Sequence, residues 1–195
     1  AIFAAVPLLI KAAHEPSRIY IISITVYAIS LILLYAASTT YHTFDRSERI
    51  NTILKKIDHM MISVLIAGSY TPICLLVLKG RTGIILLSIV WGIAVIEMLI
   101  KAFWDSAEMG FLRTVYRDGL DLRACIHPDI NALSPAAFGW LLAGGIIYTV
   151  GGIIYALKLP FFNTRHKNFG SHEIFHLFVM GGSACHFILM YAFIL

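Results

Sequence analysis

Long apolar runs broken by short charged clusters set the pattern of this chain, and within the runs apolar and polar residues do not alternate. A spanning helix needs about 20 largely apolar residues. Runs at 19–42, 57–78, 83–104, 136–157 and 172–195 meet that length, and a shorter run covers 1–13. Lipid holds no water for backbone groups, so spans must be helices or closed barrels, and the absence of short alternating segments excludes a barrel. The breaks carry turn and charge signals: His14-Glu15-Pro16-Ser17, Asp45-Arg46-Ser47-Glu48-Arg49, Lys79-Gly80-Arg81-Thr82-Gly83, and the stretch from Leu159-Pro160 to Gly170-Ser171. The pattern predicts an all-α membrane protein, one transmembrane domain over 1–195, without internal repeats or low-complexity segments. The first run opens at Ala1 with no basic stretch ahead of it, so it reads as a truncated first helix rather than a signal peptide.

Composition strengthens the membrane reading. Hydrophobic residues make up 59% of the chain and charged residues only 13%, against about 25% charged in soluble domains. The net charge of +4 is ordinary loop charge, and no compact basic patch with interleaved aromatics suggests nucleic-acid binding. Cys74, Cys125 and Cys185 are far apart and odd in number, which argues for packing rather than a disulfide framework. Gly139, Ala143, Gly144, Gly145, Gly151 and Gly152 crowd one helix, and small residues let membrane helices approach closely. Pro72, late in its helix, predicts a kink.

The chemistry gathers at helix ends. Ser38-Thr39-Thr40-Tyr41-His42 closes the second run, Asp58-His59 opens the third, and His172-Glu173-Ile174-Phe175-His176 opens the last. Residues four apart share a helix face, so His172 points with His176 and Ser38 with His42. Ionisable groups in apolar helices are costly and are functional candidates by default. His172-Glu173-x-x-His176 matches the helical motif in which two histidines bind zinc beside a glutamate base. The remaining downstream histidine, His186, is ten residues past His176, about 15 Å further along the axis, and reads as an interhelical hydrogen-bonding residue. Further ligands must come from another helix, and His42 and Asp58 are the candidates. His59 reads as packing, and His14, His127 and His166 as solvated.

Topology tests that convergence. For the third and last runs to start on one side of the membrane, an even number of spans must separate them. The segment 111–131 carries Arg117, Asp118, Asp121, Arg123 and His127, and hydropathy alone makes it a loop with a short amphipathic helix. Counting it as a crossing gives the even number, and a seven-transmembrane helix bundle with an unusually polar fifth helix. The side holding the histidines then receives nine basic residues (Arg46, Arg49, Lys55, Lys56, Lys101, Arg113, Lys158, Arg165, Lys167) against four (Lys11, Arg18, Lys79, Arg81). That balance puts the histidine side in the cytoplasm, with the N-terminus inside.

Ser38-x-x-x-His42, Asp58 and His172-x-x-x-His176 together resemble the motifs of the hemolysin III family, within the progestin and adipoQ receptor superfamily. Asp58-His59-Met60-Met61, Ala67-Gly68-Ser69-Tyr70-Thr71-Pro72 and Ala143-Gly144-Gly145-Ile146-Ile147-Tyr148 also read like its bacterial branch, so the resemblance covers roughly 19–104 and 132–195. It implies a seven-helix bundle in the bacterial plasma membrane. It implies zinc held by His42, His172 and His176, with Asp58 reaching the ion through a water, and a relation to lipid amidohydrolases such as ceramidases. The sequence departs from the family in two places. The acidic residue expected near the start of the first helix is absent, and 117–129 is charged where the family's fifth helix is apolar. Glu97, mid-helix in the fourth run with Lys101 four residues on, reads with that segment as a local oddity rather than as a polar cavity.

Three functions compete. In the first, zinc lowers the pKa of its water to about 7 for attack on a lipid amide or ester, Asp58 positions the water and accepts its proton, and Ser38 donates to the oxyanion. In the second, zinc is structural and the protein is a receptor or membrane-homeostasis sensor. A site with three histidines and a water-linked aspartate is open, whereas structural zinc sites are closed by four protein ligands, which favours hydrolysis. In the third, the protein forms a lytic pore, for which only 111–131 offers a polar stripe. Membrane lipids are the expected partners, and the sequence does not fix an oligomeric state.

Overall fold

The computed structural model describes residues 1–44, 47–103, 133–157 and 171–195. All regular structure among these residues is helical: α1 (Ile2–Ala13), α2 (Arg18–Thr43), α3 (Glu48–Pro72) continued by a π-helical stretch (Ile73–Leu78), α4 (Gly80–Phe103), α5 (Pro135–Leu157) and α6 (Ser171–Leu189), which ends in a π-helical turn (Met190–Ile194). Among the described residues, five helices are long and apolar enough to cross a membrane, α2 to α6, whereas α1 has only 12 residues. The predicted crossing at 111–131 lies outside the described residues, as do Cys125, His127 and His166. Two compact units emerge, the first holding α1 to α4 and the second α5 and α6.

Four of the span boundaries predicted from hydropathy agree with the helices to within three residues, and α3 does not. It starts at Glu48, nine residues ahead of the predicted run at 57. Ser47 caps it by accepting from the Ile50 amide at 3.4 Å, and Glu48 sits in the first turn, where a negative charge meets the positive end of the helix dipole. Arg49, Asn51, Lys55 and Lys56 make these turns too polar for a hydropathy window. With its π-helical continuation, α3 spans 31 residues, about 11 more than a membrane requires. The surplus is this charged N-terminal portion, so Asp58 lies three turns into the helix yet still near where the apolar part begins.

The apolar surface is what a lipid-facing helix needs. Ile84, Ile85, Ile89, Ile96, Leu99 and Phe103 line α4 in the open, and Ile146, Val150 and Ile153 do so on α5. Soluble proteins rarely expose contiguous apolar patches of that extent. Hydroxyls inside the spans mostly return to their own backbone: Ser30 Oγ donates to the Tyr27 carbonyl at 2.7 Å, Thr71 Oγ1 to Ala67 at 2.9 Å and Thr149 Oγ1 to Gly145 at 2.8 Å. Such bonds satisfy a hydroxyl without a partner helix.

The helix pairs are set by small residues at the seams. Antiparallel α2 and α3 meet where Gly68 lies against Ser30, and a Cβ on Gly68 would overlap the Ser30 side chain. In the second unit Gly144 of α5 faces His186 of α6, where a Cβ would come within 2.6 Å of the ring Nε2. Tyr148 and Ser183 share a hydrogen bond of 2.9 Å on the same seam. The expected close packing of this glycine-rich helix is therefore found at Gly144 and Gly151, while Gly139 faces open space. Ser134 caps α5 by accepting from the Ala137 amide at 3.2 Å, with Pro135 at the first helical position, where its missing N–H costs nothing. Pro72 marks the change from α to π geometry in place of a simple kink, and the Lys79 amide closes the π stretch on the Cys74 carbonyl at 3.1 Å. Cys74 and Cys185 are buried and not joined in a disulfide, as their apolar settings predict.

Candidate metal centre

Asp58 has no exposed surface at all. A carboxyl excluded from water inside a membrane-length helix needs a compensating environment, and the first unit supplies one. The α2–α3 register fixed at Ser30 and Gly68 carries Ser38 to a position beside Asp58, and Lys101 of α4 stands close enough for its charge to act on the carboxyl. Ser38 and Asp58, paired by no sequence spacing, are thus brought together. His42 shares the α2 face of Ser38 one turn further on, near the helix end, exposed and edge-on to the Tyr41 ring at 4.9 Å.

In the second unit, His172 lies in the first turn of α6 and His176 one turn later. The His172 side chain lies outside the described ones. His176 is half-buried, its ring 5.7 Å from that of Phe175, which in turn packs on Tyr155 of α5. Among the described residues, no three His, Cys, Asp or Glu side chains stand within reach of one ion. Imidazoles in i, i+4 register and a carboxyl are of the kinds that zinc takes as nitrogen and oxygen ligands.

His186 is buried and edge-on to Tyr148 at 5.4 Å; its ring nitrogens make no hydrogen bond of ordinary length, so it packs between helices where an interhelical hydrogen bond was expected. His59 is also buried, and its main-chain carbonyl accepts from Lys101 Nζ at 2.9 Å.

That contact belongs to a feature the sequence reading missed. Glu97, taken there as an oddity of the charged segment, is buried and accepts from Ser63 Oγ at 2.8 Å. Higher in the same helix pair, Trp91 Nε1 donates to Thr71 Oγ1 at 3.1 Å. Positions 59, 63 and 71 of α3 thus meet 101, 97 and 91 of α4 in antiparallel order, giving the seam three polar rungs. The signal was present in the i, i+4 pairs His59/Ser63 and Glu97/Lys101. Reading it requires knowing that the Lys79–Gly80 turn folds α4 straight back on α3.

The profile of the family described as "Haemolysin-III related" matches residues 1–187. The chain belongs to the haemolysin III family. It is 40% identical to the hemolysin-3 homolog of Bacillus subtilis over 186 residues, 94% of this chain and 83% of that one. It is 36% identical to hemolysin-3 of Bacillus cereus over 196 residues, 98% of this chain and 84% of that one. A more distant relative is the adiponectin receptor protein of Drosophila melanogaster, 27% identical over 83% of this chain and 40% of the receptor. No solved structure gives a significant match. Membership of the haemolysin III family and the apolar helices together make this an integral membrane protein.

Proposed function

We propose that this haemolysin III protein is a seven-span zinc hydrolase of a lipid amide or ester, in the plasma membrane of a bacterium. The observation that carries the reading is the fully buried Asp58 carboxyl with Ser38 beside it on the neighbouring helix. If 111–131 crosses, His42, His172 and His176 would share the cytoplasmic side and would hold the ion, and Asp58 would reach it through a water. Zinc would supply Lewis acidity and a water acidified to a pKa of about 7. Asp58 would act as the general base that accepts a proton from the attacking water, a role worth about 10²–10⁴-fold in rate. The Ser38 hydroxyl donates to the substrate carbonyl oxygen as negative charge builds on it.

The name of the Drosophila relative supports a second reading, a receptor or membrane sensor, in which zinc would be structural. The names of the Bacillus relatives support a third, haemolysis, for which a pore would be the route. Two assays separate the three. Purified protein in detergent micelles containing a ceramide-like substrate is expected to release free fatty acid, and a zinc chelator is expected to stop the release. No release across a broad panel of lipid amides and esters would favour the sensor. Zinc-independent dye leakage from liposomes would favour the pore.

A further inference from the structure

Lys101 sits two residues before the end of α4 at Phe103. A lysine so placed ordinarily extends its stem to bring the ammonium to water. Here the ammonium turns inward and donates to the main-chain carbonyl of His59 at 2.9 Å. That carbonyl belongs to the residue directly after Asp58. One helical turn further along α3, Ser63 is held by Glu97, which lies one turn before Lys101 on α4. A single turn of α3, from 59 to 63, is therefore gripped at both ends by a single turn of α4. Asp58 stands immediately outside the grip, on the side of Lys101.

We propose that Lys101 is a positioning residue for Asp58: its bond to the His59 carbonyl fixes the turn that carries the carboxyl, and its charge holds the carboxyl in place beside Ser38. The Ser63–Glu97 rung does a different job, holding the two helices together without acting on Asp58. Two rungs of one seam thus differ in function, and the difference is testable. The inference rests on the zinc reading, since Asp58 is the group through which a bound ion would sense Lys101.

The probe is Co²⁺, titrated into metal-free full-length protein and followed by its visible absorption. Groups that orient metal ligands typically change metal affinity 10–100-fold when removed. Lys101→Met is expected to raise the Co²⁺ dissociation constant about 10-fold and to shift the absorption band toward that of Asp58→Asn. Lys101→Arg keeps a cationic donor and is expected to return both to the parent values. Ser63→Ala, which breaks the neighbouring rung, is expected to leave both unchanged. Parent affinity and spectrum in Lys101→Met would overturn the proposal, as would an equal loss in Ser63→Ala. If Lys101→Met does not fold, Lys101→Gln, which retains a donor and loses the charge, carries the same decision: a parent spectrum there overturns the role of the charge. A parent protein that binds no Co²⁺ overturns the zinc reading and this inference together, whereas binding that is indifferent to Lys101 overturns the inference alone.

Discussion

Replacing Asp58 by asparagine is expected to slow lipid hydrolysis about 10²–10⁴-fold while zinc stays bound. The amide has nearly the volume of the carboxyl, so the fully buried site keeps its packing. It cannot accept the proton that the attacking water must lose. In the proposed ligand set the histidines hold the ion directly and Asp58 touches it only through a water, so metal content should survive. Hydrolysis and elemental analysis on the same preparation check both halves. Full activity in Asp58→Asn would remove Asp58 from the chemistry. Loss of zinc along with activity would make Asp58 a direct ligand rather than a base. The charge left on Lys101 is a further consequence, because that ammonium now faces a neutral partner.

Gly68→Ala is expected to cost about 1–3 kcal/mol or more in the α2–α3 pair, visible as a fall in the thermal midpoint and in the monodisperse yield. Helix association in lipid draws on van der Waals packing rather than on the hydrophobic effect, so a seam that cannot close has no other large term to hold it. The added Cβ would overlap Ser30, and Ser30 is not free to swing away, because its hydroxyl is bonded to the Tyr27 carbonyl at 2.7 Å. The helices must part instead. Since the same register brings Ser38 beside Asp58, the variant should lose the site together with the fold. Ser30→Gly removes the obstructing atoms and is expected to restore most of the loss in the double variant. A cycle of the four proteins measures the coupling, and strict additivity would show that the two residues do not meet.

How far the sequence carries can be followed along α3. Its apolar half was legible, and so was the importance of Asp58, because a lone carboxylate in a hydrophobic run has no ordinary explanation. Its beginning was not legible, because Glu48 to Lys56 forms an amphipathic stretch whose charges cancel the hydropathy signal, while the cap at Ser47 depends on a single side-chain bond. The ends of α2, α4, α5 and α6 were legible because apolar content changes sharply there. The pairing of Ser38 with Asp58 needed the Gly68–Ser30 contact, and the polar rungs needed the turn at Lys79 and Gly80. Both are facts of register, which periodicity within one helix does not encode. Glu97 shows the consequence: read alone it was an anomaly, and against Ser63 it is a satisfied interhelical group. The histidine motif of α6 was legible from its i, i+4 spacing. Its convergence with His42 rests on the crossing count through 111–131.

That crossing count and the ligand set stand or fall on metal content. The decisive measurement is elemental analysis of detergent-purified protein beside His176→Ala. The expected result is about one zinc per chain, as a single site of this donor set takes one ion, and its loss in a variant that remains monodisperse and helical. Zinc-free protein that is nonetheless well folded, or zinc retained in full by His176→Ala, would contradict the metal centre and leave these histidines as packing residues between helices.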